Sequence, residues 1–479
     1  MSRFPSSARA RLAAAVAGVL ATAAAAAETS IEPRVGVGGA YVSNVQLAPP
    51  GEEEHDWVGE LKPGVTIAHD SARLKLDLDY DFQALFYAEN GDFDDQFNTF
   101  LGNGTAILVP DRFFLDLDGR YEQRNVDPGG RATTSNLYRT GNRTDLGSWQ
   151  VSPWYQQPFG DQAEGTLRYT YGEYNFRNVD DEAQDLPDNN LDDSSQQRID
   201  VGLGSPEGAA GWTWRLDYLN SNVDYEFSDD YNYERAGAEI GVPVARRNHF
   251  LVAGGLETDF DGDPSEGGLD GSWWNVGWRW QPTDRQTVEA RVGDRFWGND
   301  YLFSWTRKGS RGDLSLKYEE LPGSFGALEF SDGGGGIFGP GRISTTPYVS
   351  RRVNGSVTWK AARSDWRLEV SWDQRDYRST GGTTDDTFSE DEEFTGALAG
   401  VRWQAFARTR VEFDARWYAR SLQQGDVDTL ELGLAFVREL TPQLEARLAG
   451  AWASQNADTG TLDEYDAANG FLGIVWHRR

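Results

Sequence analysis

"LKLDLDYDFQALFY", residues 74–87, places an apolar or aromatic side chain at every even number: Leu74, Leu76, Leu78, Tyr80, Phe82, Ala84 and Phe86. The odd positions carry Lys75, Asp77, Asp79, Asp81 and Gln83, and Leu85 breaks that polar series near its end. A period of two is the mark of a strand with one apolar and one polar face. At about 3.3 Å per residue the stretch is roughly 46 Å long. Tilted by about 45° it projects to about 33 Å, enough to cross an apolar band of about 25 Å. The mean strand of a soluble protein has only about 5 or 6 residues.

The same script recurs along the chain. Phe113, Leu115, Leu117 and Tyr121 alternate with Asp116, Asp118, Arg120 and Glu122, and Trp214, Leu216 and Tyr218 with Arg215 and Asp217. Trp366, Leu368, Val370 and Trp372 alternate with Arg367, Glu369 and Asp373; Val411, Phe413, Ala415 and Trp417 with Arg410, Glu412, Asp414 and Arg416. No segment after the N-terminus sustains a helical period. A soluble β-sandwich or solenoid also alternates, but neither needs a Trp-rich outer face on nearly every strand.

The connections alternate in length. Turn formers fill "VPDR" (109–112), "PFGDQ" (158–162), "ARRN" (245–248) and "LTPQ" (440–443). Between them lie mostly longer, acidic and Gly-rich links such as "PPGEEEHD" (49–56), "NVDDEAQDLPDNNLDDSS" (178–195) and "DDTFSEDEE" (385–393). Short turns on one side and long loops on the other are the arrangement of an outer-membrane barrel. The expected fold is all-β: one large antiparallel transmembrane β-barrel of about 22 strands, roughly 16 to 22, with both termini periplasmic, short periplasmic turns and long acidic extracellular loops.

Composition agrees. Residues 1–27 read as a signal peptide, with Arg3, Arg9 and Arg11 before an apolar core at 12–20 and an Ala-rich end that favours cleavage after Ala27. Residues 28–479 are then a single barrel domain. Removing three Arg and no acids takes the net charge from -31 to -34, which disfavours nucleic acid as a partner. An exported chain with no Cys is not a disulfide-stapled secreted protein. With no later run of about 18 apolar residues, any crossing of a membrane must use strands. The expected address is the outer membrane of a Gram-negative bacterium, with Trp57, Phe113, Phe114, Trp212, Trp280, Trp359, Trp403 and Trp476 as interfacial girdles.

Residues 35–87 carry an aromatic-plus-Asn element (Tyr41, Asn44), a short Pro/acidic loop, a "PG" pair (Pro63, Gly64) and then the long alternating strand. This opening resembles that of the outer-membrane proteins associated with PEP-CTERM/exosortase systems, with Ser43 where an acidic residue is expected. The resemblance implies a single-domain outer-membrane barrel linked to the production and export of extracellular polysaccharide. It supplies no catalytic residue.

The expected lumen is polar and of mixed sign, with Asp77, Asp79, Asp116, Asp118, Arg120, Arg168, Arg215, Arg279, Arg367, Arg416 and Arg447 as candidates on the inner face. Cross-strand ion pairing is the plain reading of these groups. The functional one is a track past which a hydrated sugar polymer slides. Known barrels of about 22 strands are plugged, and the largely uncharged link 321–347 is the expected candidate for narrowing this one. In it Phe325, Leu328, Phe330, Ile337 and Phe338 could pack inside the wall, although an external loop is the favoured reading. Asp259, Asp261, Asp263 and Asp270 have the spacing of a calcium loop, but Pro264 stands where the turn needs glycine, so a solvated acidic loop reads better.

No cofactor is expected beyond Ca²⁺ or Mg²⁺ held loosely at acidic loops. Catalysis is disfavoured, since His55 beside Asp56 is the one histidine expected at a loop. The leading expectation is a passive porin-like conduit or accessory for polysaccharide export. A non-conducting surface-attachment barrel and a general solute porin stand as alternatives. Expected partners are outer-membrane lipid and lipopolysaccharide, with polysaccharide and a periplasmic export apparatus.

Overall fold

The computed structural model describes residues 28–478, apart from 127–128, 178–190, 207–210, 260–267, 325–326, 328–344, 378–391, 423–424 and 459–462. The first strands are β1 (Glu28–Val42), β2 (Asp56–Asp70), β3 (Leu74–Tyr87), β4 (Asp95–Val109), β5 (Phe113–Asn125), β6 (Arg143–Phe159) and β7 (Ala163–Arg177). There follow β8 (Ser194–Gly204), β9 (Thr213–Tyr225), β10 (Tyr231–Ala245), β11 (Asn248–Glu257), β12 (Gly271–Thr283), β13 (Gln286–Arg295), β14 (Gly298–Lys308) and β15 (Asp313–Gly323). The series ends with β16 (Tyr348–Lys360), β17 (Ser364–Tyr377), β18 (Glu392–Phe406), β19 (Thr409–Leu422), β20 (Gly425–Thr441), β21 (Leu444–Ala457) and β22 (Tyr465–His477). The opening stretch is β3 from end to end.

All of them belong to one 22-stranded sheet. Each strand pairs antiparallel with its chain neighbour, and β1 closes on β22 in a register running from Arg34↔His477 to Val42↔Asn469. Closure pairs the backbone groups that an open sheet would leave bare, which is what allows strands to stand in hydrocarbon. Among the described residues no helix is long and apolar enough to cross a membrane.

At the rim that holds both chain ends, the links are turns such as 71–73, 110–112, 160–162, 246–247 and 442–443. Three of them bend through left-handed backbone at Asp111 (φ 60°), Gly160 (φ 65°) and Arg247 (φ 70°). The opposite rim carries the long links 43–55, 88–94 and 126–142, although 296–297 is short.

The outer face is apolar. Leu368, Leu472, Trp274, Trp366 and Trp417 are exposed on it, and Trp57, Trp212, Trp280, Trp359, Trp403 and Trp476 stand exposed near strand ends. An exposed apolar band with aromatic ends is the surface of a barrel seated in lipid; the chain is an outer-membrane β-barrel. One girdle expectation is corrected. Phe114 lies on the inner face, stacked on Trp154 with ring centroids 3.9 Å apart. Asp116 shares its parity and pairs with Arg168 across the wall.

Candidate functional site

The site is the lumen, and the alternation of each strand decides what it presents there. On β3, Asp79 accepts from Arg34 (2.7 Å) and from the Thr66 hydroxyl (2.6 Å), while Asp81 lies 2.9 Å from the same guanidinium and 3.8 Å from Lys62. Gly64 makes this cluster possible: a Cβ there would stand 2.1 Å from Asp81 Oδ1 and 2.8 Å from Arg34 Nε. Asp77 faces the lumen opposite Asn103.

The other candidates fall into similar groups. Asp116 accepts from Thr105 (2.8 Å) and pairs with Arg168, and Asp118 accepts from Gln150 (3.0 Å). Arg120 lies 3.7 Å from Glu122. Arg279 and Arg291 share Glu289, at 2.7 and 2.6 Å, and Arg291 also reaches Glu239 at 2.6 Å. Arg367 pairs with Glu369. Arg447 and Arg410 share Glu412, at 3.3 and 2.8 Å. Arg215 is exposed on the inner face without a carboxylate within ion-pair distance among the described residues. Shared carboxylates hold the paired arginines as fixed local dipoles.

A second element, not anticipated from the sequence, narrows the lumen. Of the link 126–142, residues 129–142 run along the inner wall to strands on the far side of the β1–β22 closure. Arg139 N–H donates to Val45 C=O (2.7 Å) and Arg131 to Gln46 C=O (3.1 Å). Tyr87 OH donates to Leu137 C=O (3.1 Å), and Asn136 to Gln83 (3.0 Å). Beyond the seam, Asn469 donates to Tyr138 OH (2.9 Å), Gln455 to Gly130 C=O (3.2 Å) and Tyr465 OH to Ala132 C=O (2.5 Å). Thr134 meets Glu431 (2.9 Å) and receives Arg416 (2.7 Å). Arg139 also pairs with Asp95.

An apolar cluster lies beneath this strap. Tyr138 packs with Val42, Val45, Leu85, Tyr87, Phe97, Tyr465 and Ala467, all buried. Burial pushes the Tyr138 hydroxyl above the ordinary tyrosine range, and its bond from Asn469 satisfies it. The sequence carried two signals: Leu85 spoils the polar face of β3 where the strap covers it, and the strap holds Arg131 and Arg139 against one acid, Asp127, unlike the acidic links.

The candidates in the link 321–347 (Phe325, Leu328, Phe330, Ile337 and Phe338) lie outside the described residues. At its head, Ser324 is buried and accepts from Tyr225 OH (2.8 Å), and Ala327 packs on Val223, Tyr231 and Tyr233 of the inner wall. Asp261 and Asp263 also lie outside the described residues. Asp270 accepts from the Asp259 amide (3.0 Å), and among the described residues no group of three acidic or histidine side chains is placed to hold a metal. Asp56 is not partnered with His55. It is fully buried and accepts from the amides of Trp57 (2.7 Å), Ala88, Glu89 and Asn90 (3.0 Å each), tying the first loop to the second.

No protein-family model matches the chain, and no curated protein does. Among solved structures, the siderophore receptor PirA of Pseudomonas aeruginosa is similar at 8% identity, covering 94% of this chain and 80% of its own, with a TM-score of 0.43. The ferric enterobactin receptor PfeA is similar at 9% identity, with coverages of 95% and 82% and a TM-score of 0.46. OccK2 (OpdF) of Pseudomonas aeruginosa is similar at 10% identity, with coverages of 94% and 98% and a TM-score of 0.35. At this distance a likeness carries nothing about cargo.

Proposed function

We propose that the chain is a passive, porin-like conduit, or an accessory to one, for export of an extracellular polysaccharide linked to a PEP-CTERM/exosortase system. The observation that carries the conduit reading is an inner wall of paired charges around a strap that holds to one sector, between β1–β5 and β19–β22. Paired charges in a wet lumen exchange hydrogen bonds with a passing hydroxyl-rich chain without trapping it. The export reading rests on the resemblance of residues 35–87. The proposed partners are lipopolysaccharide, which divalent cations would bridge to acidic loops, the polymer itself and a periplasmic export apparatus.

A second reading, a non-conducting barrel for surface attachment, draws support from the buried clusters on two walls, around Tyr138 and around Tyr231. Conductance of the purified protein in planar bilayers separates the two. Deletion of the gene then tests export: loss of surface polysaccharide supports it, and unchanged polysaccharide with intact conductance assigns a general solute porin.

A further inference from the structure

We infer that Arg235 is an anion-recognising residue on the lumen wall, built to take a carboxylate carried by the transported solute or polymer. The inference deepens the conduit reading and rests on it. Arg235 lies on the inner face of β10, in the half nearest the long loops and opposite Glu257 in register. Its guanidinium stacks 3.9 Å from the ring centroid of Trp273. The indole is itself buried and sits over Gly237, where a Cβ would stand 2.4 Å from Trp273 Cζ2. The wall is therefore cut to hold this ring, and the ring holds the arginine.

What the arginine lacks is a carboxylate in contact: Glu257 and Asp217 act on it only from beyond ion-pair distance. The chain has 76 acidic residues against 45 basic, and neighbouring lumen arginines are paired. Arg295 takes Glu257 (2.5 Å) and Arg291 takes Glu239 (2.6 Å). Arg235 has no carboxylate within ion-pair distance among the described residues, and its Nε is buried with no hydrogen-bond acceptor. Arg215 is also unpaired, but it is exposed and water serves it. Arg235 is part-buried and fixed by stacking, and its terminal nitrogens, rather than the buried Nε, are the donors left for a solute. A planar carboxylate matches a guanidinium edge by two parallel N–H···O bonds, so an acidic sugar residue has the chemistry this position takes.

The test uses the full barrel in detergent, with oligogalacturonate and a neutral maltodextrin of the same length as calorimetric probes, and planar-bilayer conductance alongside. The expected result is binding of oligogalacturonate over maltodextrin, weakened about tenfold or more by Arg235→Gln and partly kept by Arg235→Lys, with wild-type heat-modifiability in both variants. Equal oligogalacturonate affinity in the wild type and Arg235→Gln, or no binding by the wild type, overturns the assignment. With conductance intact, either result leaves the conduit reading standing. Absence of conductance in the wild type removes that reading and the transport role assigned to Arg235 with it.

Discussion

Leu85 of β3 and Tyr138 of the strap are buried in one apolar cluster on the lumen side of the wall, 0% and 2% exposed. Leu85 is on the polar face of its strand, and the strap is what makes an apolar side chain tolerable there. Tyr138→Ala should cost about 3 kcal/mol by opening a cavity in that cluster. The check is a lower unfolding temperature, read as heat-modifiable migration, and a larger conductance in the same variant.

The two faces of β3 should respond differently to charge. Leu78→Arg puts a cation on the lipid face and should cost about 2 to 4 kcal/mol if the position is at mid-membrane. Asp79→Asn keeps the Thr66 bond and leaves Asp81 to hold Arg34, so about 1 kcal/mol is expected. Folding titrations of both variants in lipid measure this, and equal losses would mean that the faces are assigned wrongly.

Gly64 is required by its neighbours and not by its backbone angles. Gly64→Ala should displace Asp81 or Arg34 and cost about 1 to 3 kcal/mol, whereas Gly470→Ala, where a Cβ meets nothing within 4 Å, should be close to neutral. Comparing their unfolding in one detergent decides it.

Asp56 is a loop fastener. Asp56→Ala removes this acceptor from the amides of Trp57, Glu89 and Asn90, at about 1 to 3 kcal/mol for each that water cannot reach. The expected result is faster protease cleavage within 43–55 and 88–94 on intact cells, with the barrel core resistant. Cleavage unchanged from the wild type would mean that other contacts hold these loops.

The architecture was legible because a barrel wall is written locally. Leu74 to Tyr87 announce their strand by parity, and "VPDR" and "ARRN" mark turns by residue type. The strap was not legible in that way, because its partners are tens to hundreds of residues distant: Tyr138 meets Asn469, and Thr134 meets Glu431. Composition drew attention to the Gly-rich link 321–347, while docking depends on complementary donors and one well-placed ring. Phe114 was misread for a related reason: aromatic residues at strand ends look alike in sequence, and only parity within β5 separates the lipid face from the lumen. The candidate charges are on the inner face by the same parity, but which carboxylate each arginine shares depends on register across strands, which no single segment carries.

The lumen is water-filled and narrowed by the strap. Single-channel conductance of the wild-type barrel and of a variant with residues 131–138 replaced by a short Gly/Ser linker tests it most directly. The expected result is a measurable wild-type conductance and a clearly larger one in the variant. A variant that folds, by heat-modifiability, and conducts no more than the wild type would contradict it.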